Sequence, residues 1–366
     1  MDFKSFAASI KDEDTTMLED GLSAAEFSEC IDTGSYALNA LFSGSMYQGI
    51  QDNKITGFGG PSATGKTFFM LGVVKEFLDK YPDAGVLYFD TEAAVTKKMM
   101  SDRKIDTSRV MIAEVDTIQK FKQKVLNVLE KYKEIPTEKR TRLMIVLDSL
   151  GMLSTTKEME DSLAGSDKKD MTQQAQIKST FRTITLKLAR LQIPMLLSQH
   201  TYSVIGSYVP MQELAGGTGV KYAASTIALL SKSKERDGTD VIGNIITVTM
   251  YKARLSKENK KVKVLVTYDK GLDRYFGLLP LAEKAEIAKK VGKKYVFING
   301  VDGMEGSILK NPEKYYTPDV MDALEKFCNK EFTYGSLDDV DEETIDEVLS
   351  ESDEKTSKRK KKTELE

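Results

Sequence analysis

The 366-residue chain has no tryptophan, one histidine, two cysteines and eight prolines, and no charge of one sign dominates it. Each scarcity excludes something. Cys30 and Cys328 stand far apart without metal-ligand spacing, so neither a disulfide framework nor a zinc site is expected, and both read as reduced thiols. No apolar run approaches the ~18 residues that a membrane-spanning helix needs. The opening "MDFKSFAASIKDED" lacks the basic-then-apolar order of a signal peptide, so a cytoplasmic protein with no membrane partner is expected. No internal repeat occurs. Lys plus Arg (53) and Asp plus Glu (56) nearly cancel, but the net charge of −3 hides an uneven distribution. Residues 337–354, "LDDVDEETIDEVLSESDE", are strongly acidic and are followed by "KRKKK" at 358–362. A tail of this composition is expected to be disordered, and the remaining body is net basic, with lysines and arginines clustered at 251–263 and 293–310. Taken singly, each cluster also reads as an ordinary solvated face.

Short apolar runs rich in β-branched residues alternate with longer amphipathic stretches. Strands are predicted at 54–59, 85–90, 142–148 and 193–199, with helices at 67–80, 117–132 and 171–191 between them. Further strands are predicted at 225–231, 243–251 and 261–269. This order gives the expected fold class: α/β, a mostly parallel central sheet flanked by helices, with the last two strands as an antiparallel edge hairpin. The expected division is 1–30, an N-terminal segment; 31–280, the core; 281–335, a small lobe; and 336–366, the tail.

The densest chemistry lies in "GFGGPSATGKTFF". Gly60, Pro61, Ser62, Ala63, Thr64, Gly65, Lys66 and Thr67 fit G-x-x-x-x-G-K-[ST], after a predicted strand and before a predicted helix that continues with Phe68. Glycines let backbone amides and the helix N-terminus face an anion, Lys66 reaches the β and γ phosphates of ATP, and Thr67 ligates Mg2+. Asp148 ends the strand "LMIVLD", where a Walker B carboxylate supports the magnesium; an aspartate there could also cap the next helix. "VLYFDTEAAV" adds Asp90 and Glu92, which share one face if the strand stays extended, and either could serve as a general base for water.

The phosphate loop, "YFDTE", "IVLDSLGML", "LLSQH" and "GGTG", in this order, resemble the RecA class of DNA recombinases, and the details over roughly 30–280 resemble most its UvsX-type branch from T-even bacteriophages. The resemblance implies a RecA-like ATPase core and an ATP-driven filament on single-stranded DNA that pairs and exchanges strands with homologous duplex. It also implies the company of a recombination mediator and a single-strand-binding protein, in the host cytoplasm. A related hexameric DNA helicase is the alternative. Carried over by position, Glu92 is the catalytic base and Asp90 a structural neighbour. A γ-phosphate sensor falls in "LSQHT", with His200 favoured and Gln199 as the alternative. Lys252 and Arg254 reach the neighbouring subunit's ATP. The first DNA loop corresponds to about 154–170, with Lys157, Lys168 and Lys169, and the second to 201–215 and the following Gly216 and Gly217, with Tyr202 and Tyr208 as stacking residues. Residues 1–30 pack on the adjacent subunit. One departure stands out: Met99 occupies the position seven after Glu92 where the family has an aromatic residue that stacks on adenine.

Overall fold

Alternate residues along the central strands enter two different hydrophobic clusters. In Leu143–Asp148, Met144 and Val146 join one cluster while Ile145 and Leu147 join the other; in Gly85–Asp90, Val86 and Tyr88 part from Leu87 and Phe89 in the same way. A strand covered on both faces has no polar side, which is why these runs read as continuously apolar. The architecture comes from a computed structural model that describes residues 2–10, 15, 17, 26–166, 170–203, 212–214, 219–237, 240–267 and 271–335.

The central sheet has ten described strands: β1 (Ile55–Gly60), β2 (Gly85–Asp90), β3 (Val110–Glu114), β4 (Leu143–Asp148), β5 (Met195–Ser203), β6 (Gln212–Leu214), β7 (Thr226–Asp237), β8 (Asp240–Lys252), β9 (Lys261–Thr267) and β10 (Gly271–Leu272). Their order is β10-β9-β8-β7-β1-β5-β4-β2-β3, with β6 added antiparallel to the end of β5. Pairings from β7 through β1, β5, β4 and β2 to β3 are parallel. The pairings β7–β8, β8–β9 and β9–β10 are antiparallel. The mostly parallel sheet with an antiparallel extension is thus present. The extension is larger than the expected two-stranded hairpin, because β7 is parallel to β1 on one side and antiparallel to β8 on the other. The short strand β3 escaped the sequence reading: it lies at the sheet edge, where Met111 and Ile112 are exposed and no buried alternation marks it.

Helix Lys66–Lys80 covers one face through Phe69, Met70, Val73, Val74 and Phe77, and helices Ile118–Glu134 and Gln173–Arg190 cover the other through residues spaced three and four apart, such as Ile177, Phe181, Ile184 and Leu188. Thr117 starts the second of these helices, its side chain accepting the Lys120 N–H. Beyond the sheet, strands Ala288–Val291, Lys294–Phe297 and Asp302–Gly303 form a small antiparallel sheet. Helix Pro318–Phe332 returns to the core, where Leu324 and Phe332 share a cluster with Leu38 and Leu41 of helix Tyr36–Ser43. Helix Phe3–Ile10 buries none of its residues. Among the described residues, no helix is long and apolar enough to cross a membrane.

Candidate nucleotide-binding site

The two-fold alternation of the strands decides which side chains meet at their C-terminal ends. Asp148 shares the face of Met144 and Val146, the face covered by helix Lys66–Lys80, and its Oδ2 accepts the Thr67 hydroxyl at 2.6 Å. Tyr88, two residues before the end of β2 on that same face, donates to the same oxygen at 2.9 Å, and the Ser198 hydroxyl donates to Oδ1. Burial, and then the neighbouring Asp148 charge, push the Tyr88 phenol well above its ordinary value, so it acts here as a fixed donor. Asp148 is almost fully buried and held from three sides.

The phosphate loop is shaped by close backbone approach. A Cβ on Gly60 would lie 2.7 Å from the Leu230 carbonyl oxygen, and Gly65 adopts φ +90°, a left-handed conformation that glycine takes without strain. Thr64 closes the loop by donating to the Pro61 carbonyl at 2.8 Å. Lys66 Nζ donates to the carbonyls of Gly60 (3.0 Å) and Pro61 (2.9 Å). Burial lowers its pKa, and the charges of Glu92 and Asp148 oppose that shift. A cation so placed among amides, a hydroxyl and a carboxylate fits a magnesium nucleotide: the loop takes the phosphates, while Thr67 and Asp148 supply the oxygen donors that magnesium prefers.

Glu92 lies outside the strand that the extended reading had assumed. β2 ends at Asp90, whose buried carboxylate accepts the backbone N–H groups of Glu92, Ala94 and Val95 at 3.0–3.3 Å and so builds the turn that carries Glu92. The Thr91 hydroxyl donates to the Ser149 carbonyl (2.8 Å) and accepts the Ser149 N–H (2.7 Å), tying the ends of β2 and β4 together. The Ser149 hydroxyl then donates to Glu92 Oε1 at 2.7 Å, and His200 Nε2 lies 3.3 Å from that same oxygen. Alternation along β5 separates the two sensor candidates. His200 shares the face of Leu196 and Ser198, whereas Gln199 is on the opposite face, 1% exposed, with neither amide atom hydrogen-bonded. Tyr88, Ser149, Thr91 and Ser198 carried no sequence signal, because hydroxyl residues near strand ends are common and only proximity gives them a task.

The remaining candidates are scattered. Lys252 pairs with Ile227, and Ile227 with Gly57, so Lys252 is level with Gly57, inside β1 and roughly 10 Å along the strands from Gly60. Its ammonium donates to the carbonyls of Lys221 and Ala224 (2.8 Å to the latter). Arg254 is exposed and lies beyond the end of β8, near Lys54, whose pKa is lowered by burial and then by the Arg254 charge. The two therefore do not share a strand, and neither reaches the phosphate loop of its own chain. The predicted first DNA loop is partly helical: Thr155 and Glu158 form a capping box for helix Thr156–Leu163, which carries the exposed Lys157. The stretch 201–215 begins and ends as a two-stranded ribbon, with Tyr202 paired to Glu213 and 53% exposed. Lys168, Lys169, Tyr208, Gly216 and Gly217 lie outside the described residues. Phe68 is half-buried beside Arg103, and the Met99 carbonyl accepts from that arginine.

A parallel sheet whose first strand delivers a phosphate loop into a covering helix, with an acidic residue ending a strand of the same sheet opposite the loop threonine, defines a phosphate-loop nucleotide-binding protein. The model of the RecA N-terminal domain matches residues 13–273, and the chain belongs to the RecA family. It is 28% identical over 308 residues to the "Recombination and repair protein" of Enterobacteria phage T4, a match covering 83% of this chain and 77% of that one. It is 25% identical over 293 residues to the "Protein RecA" of Clavibacter michiganensis (77% and 76% covered) and 24% identical over 277 residues to that of Deinococcus radiodurans (74% and 71%). These relationships identify a RecA-type recombinase, and a helicase is not favoured. RecA-family recombinases hydrolyse nucleotide, generally use ATP with magnesium, bind DNA and act as oligomeric filaments.

Proposed function

We propose that the chain is a DNA-dependent ATPase that assembles as a helical filament on single-stranded DNA and drives homologous pairing and strand exchange with duplex DNA. One observation carries the reading: Arg254 lies near Lys54, at the end of β1 opposite the phosphate loop, and Lys252 is level with Gly57, roughly 10 Å from Gly60, so neither serves the loop of its own chain. Cations on that surface serve a nucleotide only when a second protomer stacks against it, so hydrolysis becomes conditional on assembly.

In this mechanism Lys66 and the loop 60–67 hold the phosphates, Thr67 and Asp148 hold magnesium, and the magnesium supplies charge neutralisation at the phosphates. Glu92, oriented by Ser149, takes the proton of the attacking water. His200 shares the Glu92 carboxylate oxygen and exchanges that contact for one to the γ-phosphate, which couples nucleotide state to the ribbon β5–β6 that begins at the next residue. DNA contacts come from the surfaces around Lys157 and Tyr202, from Lys168 and Lys169, and from the segment holding Tyr208, Gly216 and Gly217. Contacts of this kind address phosphates and base faces, so pairing between strands supplies the sequence fidelity. Residues 1–30 dock on the adjacent protomer, residues 281–335 act as a small lobe packed on the core, and the acidic tail competes with DNA for the same basic surface. A mediator and a single-strand-binding protein act with the filament.

Electron microscopy of the protein with single-stranded DNA and a slowly hydrolysed ATP analogue tests the reading. Continuous helical filaments are expected; closed six-membered rings would overturn it in favour of a helicase.

A further inference from the structure

The first turn of helix Lys66–Lys80 carries a side chain that the phosphate chemistry leaves unused. Thr67 turns toward Asp148, and the next residue, Phe68, faces elsewhere. The Arg103 guanidinium lies over its ring, 4.2 Å from the centroid, and a Cβ on Gly271 would sit 3.6 Å from its Cε1. Arg103 follows helix Lys97–Ser101 and donates from Nη1 to the Met99 carbonyl at 2.7 Å, which fixes the plane of the guanidinium. Its Nε is buried without a hydrogen-bond partner, although the side chain as a whole is half-exposed. The arginine is thus held against the ring of the first residue past the phosphate loop, with its Nε–H unspent.

The direction of a bound nucleotide follows from the other end of the site. Glu92, Asp148 and His200 gather at the ends of β2, β4 and β5, which sets the side where the terminal phosphate and water lie. Successive helix residues point about 100° apart, so Phe68, with Arg103 over its ring, stands on a different side of the helix start from Thr67 and Asp148. We propose that Arg103 is the base-binding residue of the nucleotide site, its guanidinium backed by Phe68 and presenting a flat cationic surface to a purine ring. Attraction between a planar cation and a π-face does not read the edge of the base, where adenine and guanine differ. The site therefore accepts either purine with similar affinity. This inference rests on the nucleotide-site reading above.

Calorimetric titration of the full chain with ADP, GDP and inorganic tripolyphosphate, each with magnesium, separates base from phosphate recognition. ADP and GDP are expected to bind within about threefold of one another, and R103M to weaken both about tenfold while leaving tripolyphosphate unchanged. R103K is expected to recover none of the loss, because an ammonium has no planar face. Unchanged ADP binding in R103M, wild-type-like binding in R103K, a strong preference for ADP over GDP, or an equal loss of tripolyphosphate would each overturn the assignment. A wild-type chain that binds neither tripolyphosphate nor ADP would instead overturn the nucleotide-site reading.

Discussion

Glu92, in the turn after β2, and Asp148, at the end of the neighbouring strand β4, carry the same charge, yet their surroundings differ. Asp148 is enclosed by donors from Thr67, Tyr88 and Ser198, so it is a fixed anion suited to supporting a metal. Glu92 is about one-third exposed and, among the described residues, is hydrogen-bonded at Oε1 by Ser149 and approached there by His200, which leaves its second oxygen for water. Substituting Glu92→Gln keeps the shape and removes the base. ATP binding is expected to persist while steady-state turnover falls at least about a hundredfold, and rapid turnover would remove the assignment. Gly60 tests the loop geometry rather than its charge. Because a Cβ there would meet the Leu230 carbonyl at 2.7 Å, G60A must displace the backbone that shapes the phosphate cradle. An affinity for ADP at least about tenfold weaker is expected by calorimetry, and wild-type affinity would show that the loop tolerates the shift.

At the scale of elements, strands buried on both faces were legible because burial on two sides leaves an unbroken apolar signature: the predicted runs at 85–90 and 142–148 correspond to Gly85–Asp90 and Leu143–Asp148. Strand Val110–Glu114 was not legible, since an edge strand with exposed Met111 carries little of that signature. The end of β2 misled for another reason. Alternation extrapolated to residue 92 ignores that Asp90 turns its carboxylate back onto the following amides and stops the strand. Elements are also tied by charge. Glu331, near the end of helix Pro318–Phe332, accepts from Lys260 and Lys284 at 2.6 Å each. Burial by itself raises the Glu331 carboxyl, but the two lysines outweigh it and hold it below its ordinary value near 4.5. A depressed carboxylate contributes stability above its unfolded-state value and loses that contribution as pH falls through the folded one. E331Q is expected to cost about 1 kcal/mol at neutral pH, measured by chemical denaturation, with the difference closing in acid; a gap independent of pH would exclude the ion pairs as its source.

For the whole molecule, the proposed sharing of the site between two protomers makes a prediction that no single chain can satisfy. E92Q lacks the base but keeps Arg254, and R254A lacks the cation but keeps Glu92. Each alone is expected to be nearly inactive on DNA. In an equal mixture about a quarter of the interfaces join an intact Glu92 to an intact Arg254, and turnover above either single variant should reappear. Mixtures no more active than their components would mean that Arg254 does not serve a neighbour.

The sequence by itself determined the local chemistry. The phosphate loop could be named because a backbone that wraps a phosphate needs glycine at fixed spacing; Asp148, Asp90 and Glu92 were candidates as acidic residues at the ends of apolar runs, and only the family resemblance chose Glu92 over Asp90. What only the tertiary structure decided was relative position. Strand alternation put His200 on the face of Asp148 and Ser198 and buried Gln199 on the other, and antiparallel pairing carried Lys252 and Arg254 away from the phosphate loop. Chain folding brought Arg103 over Phe68, thirty-five positions away. Side-chain direction and long-range contact depend on which strands pair and in which sense, and those are properties of the packed sheet rather than of any short stretch of residues.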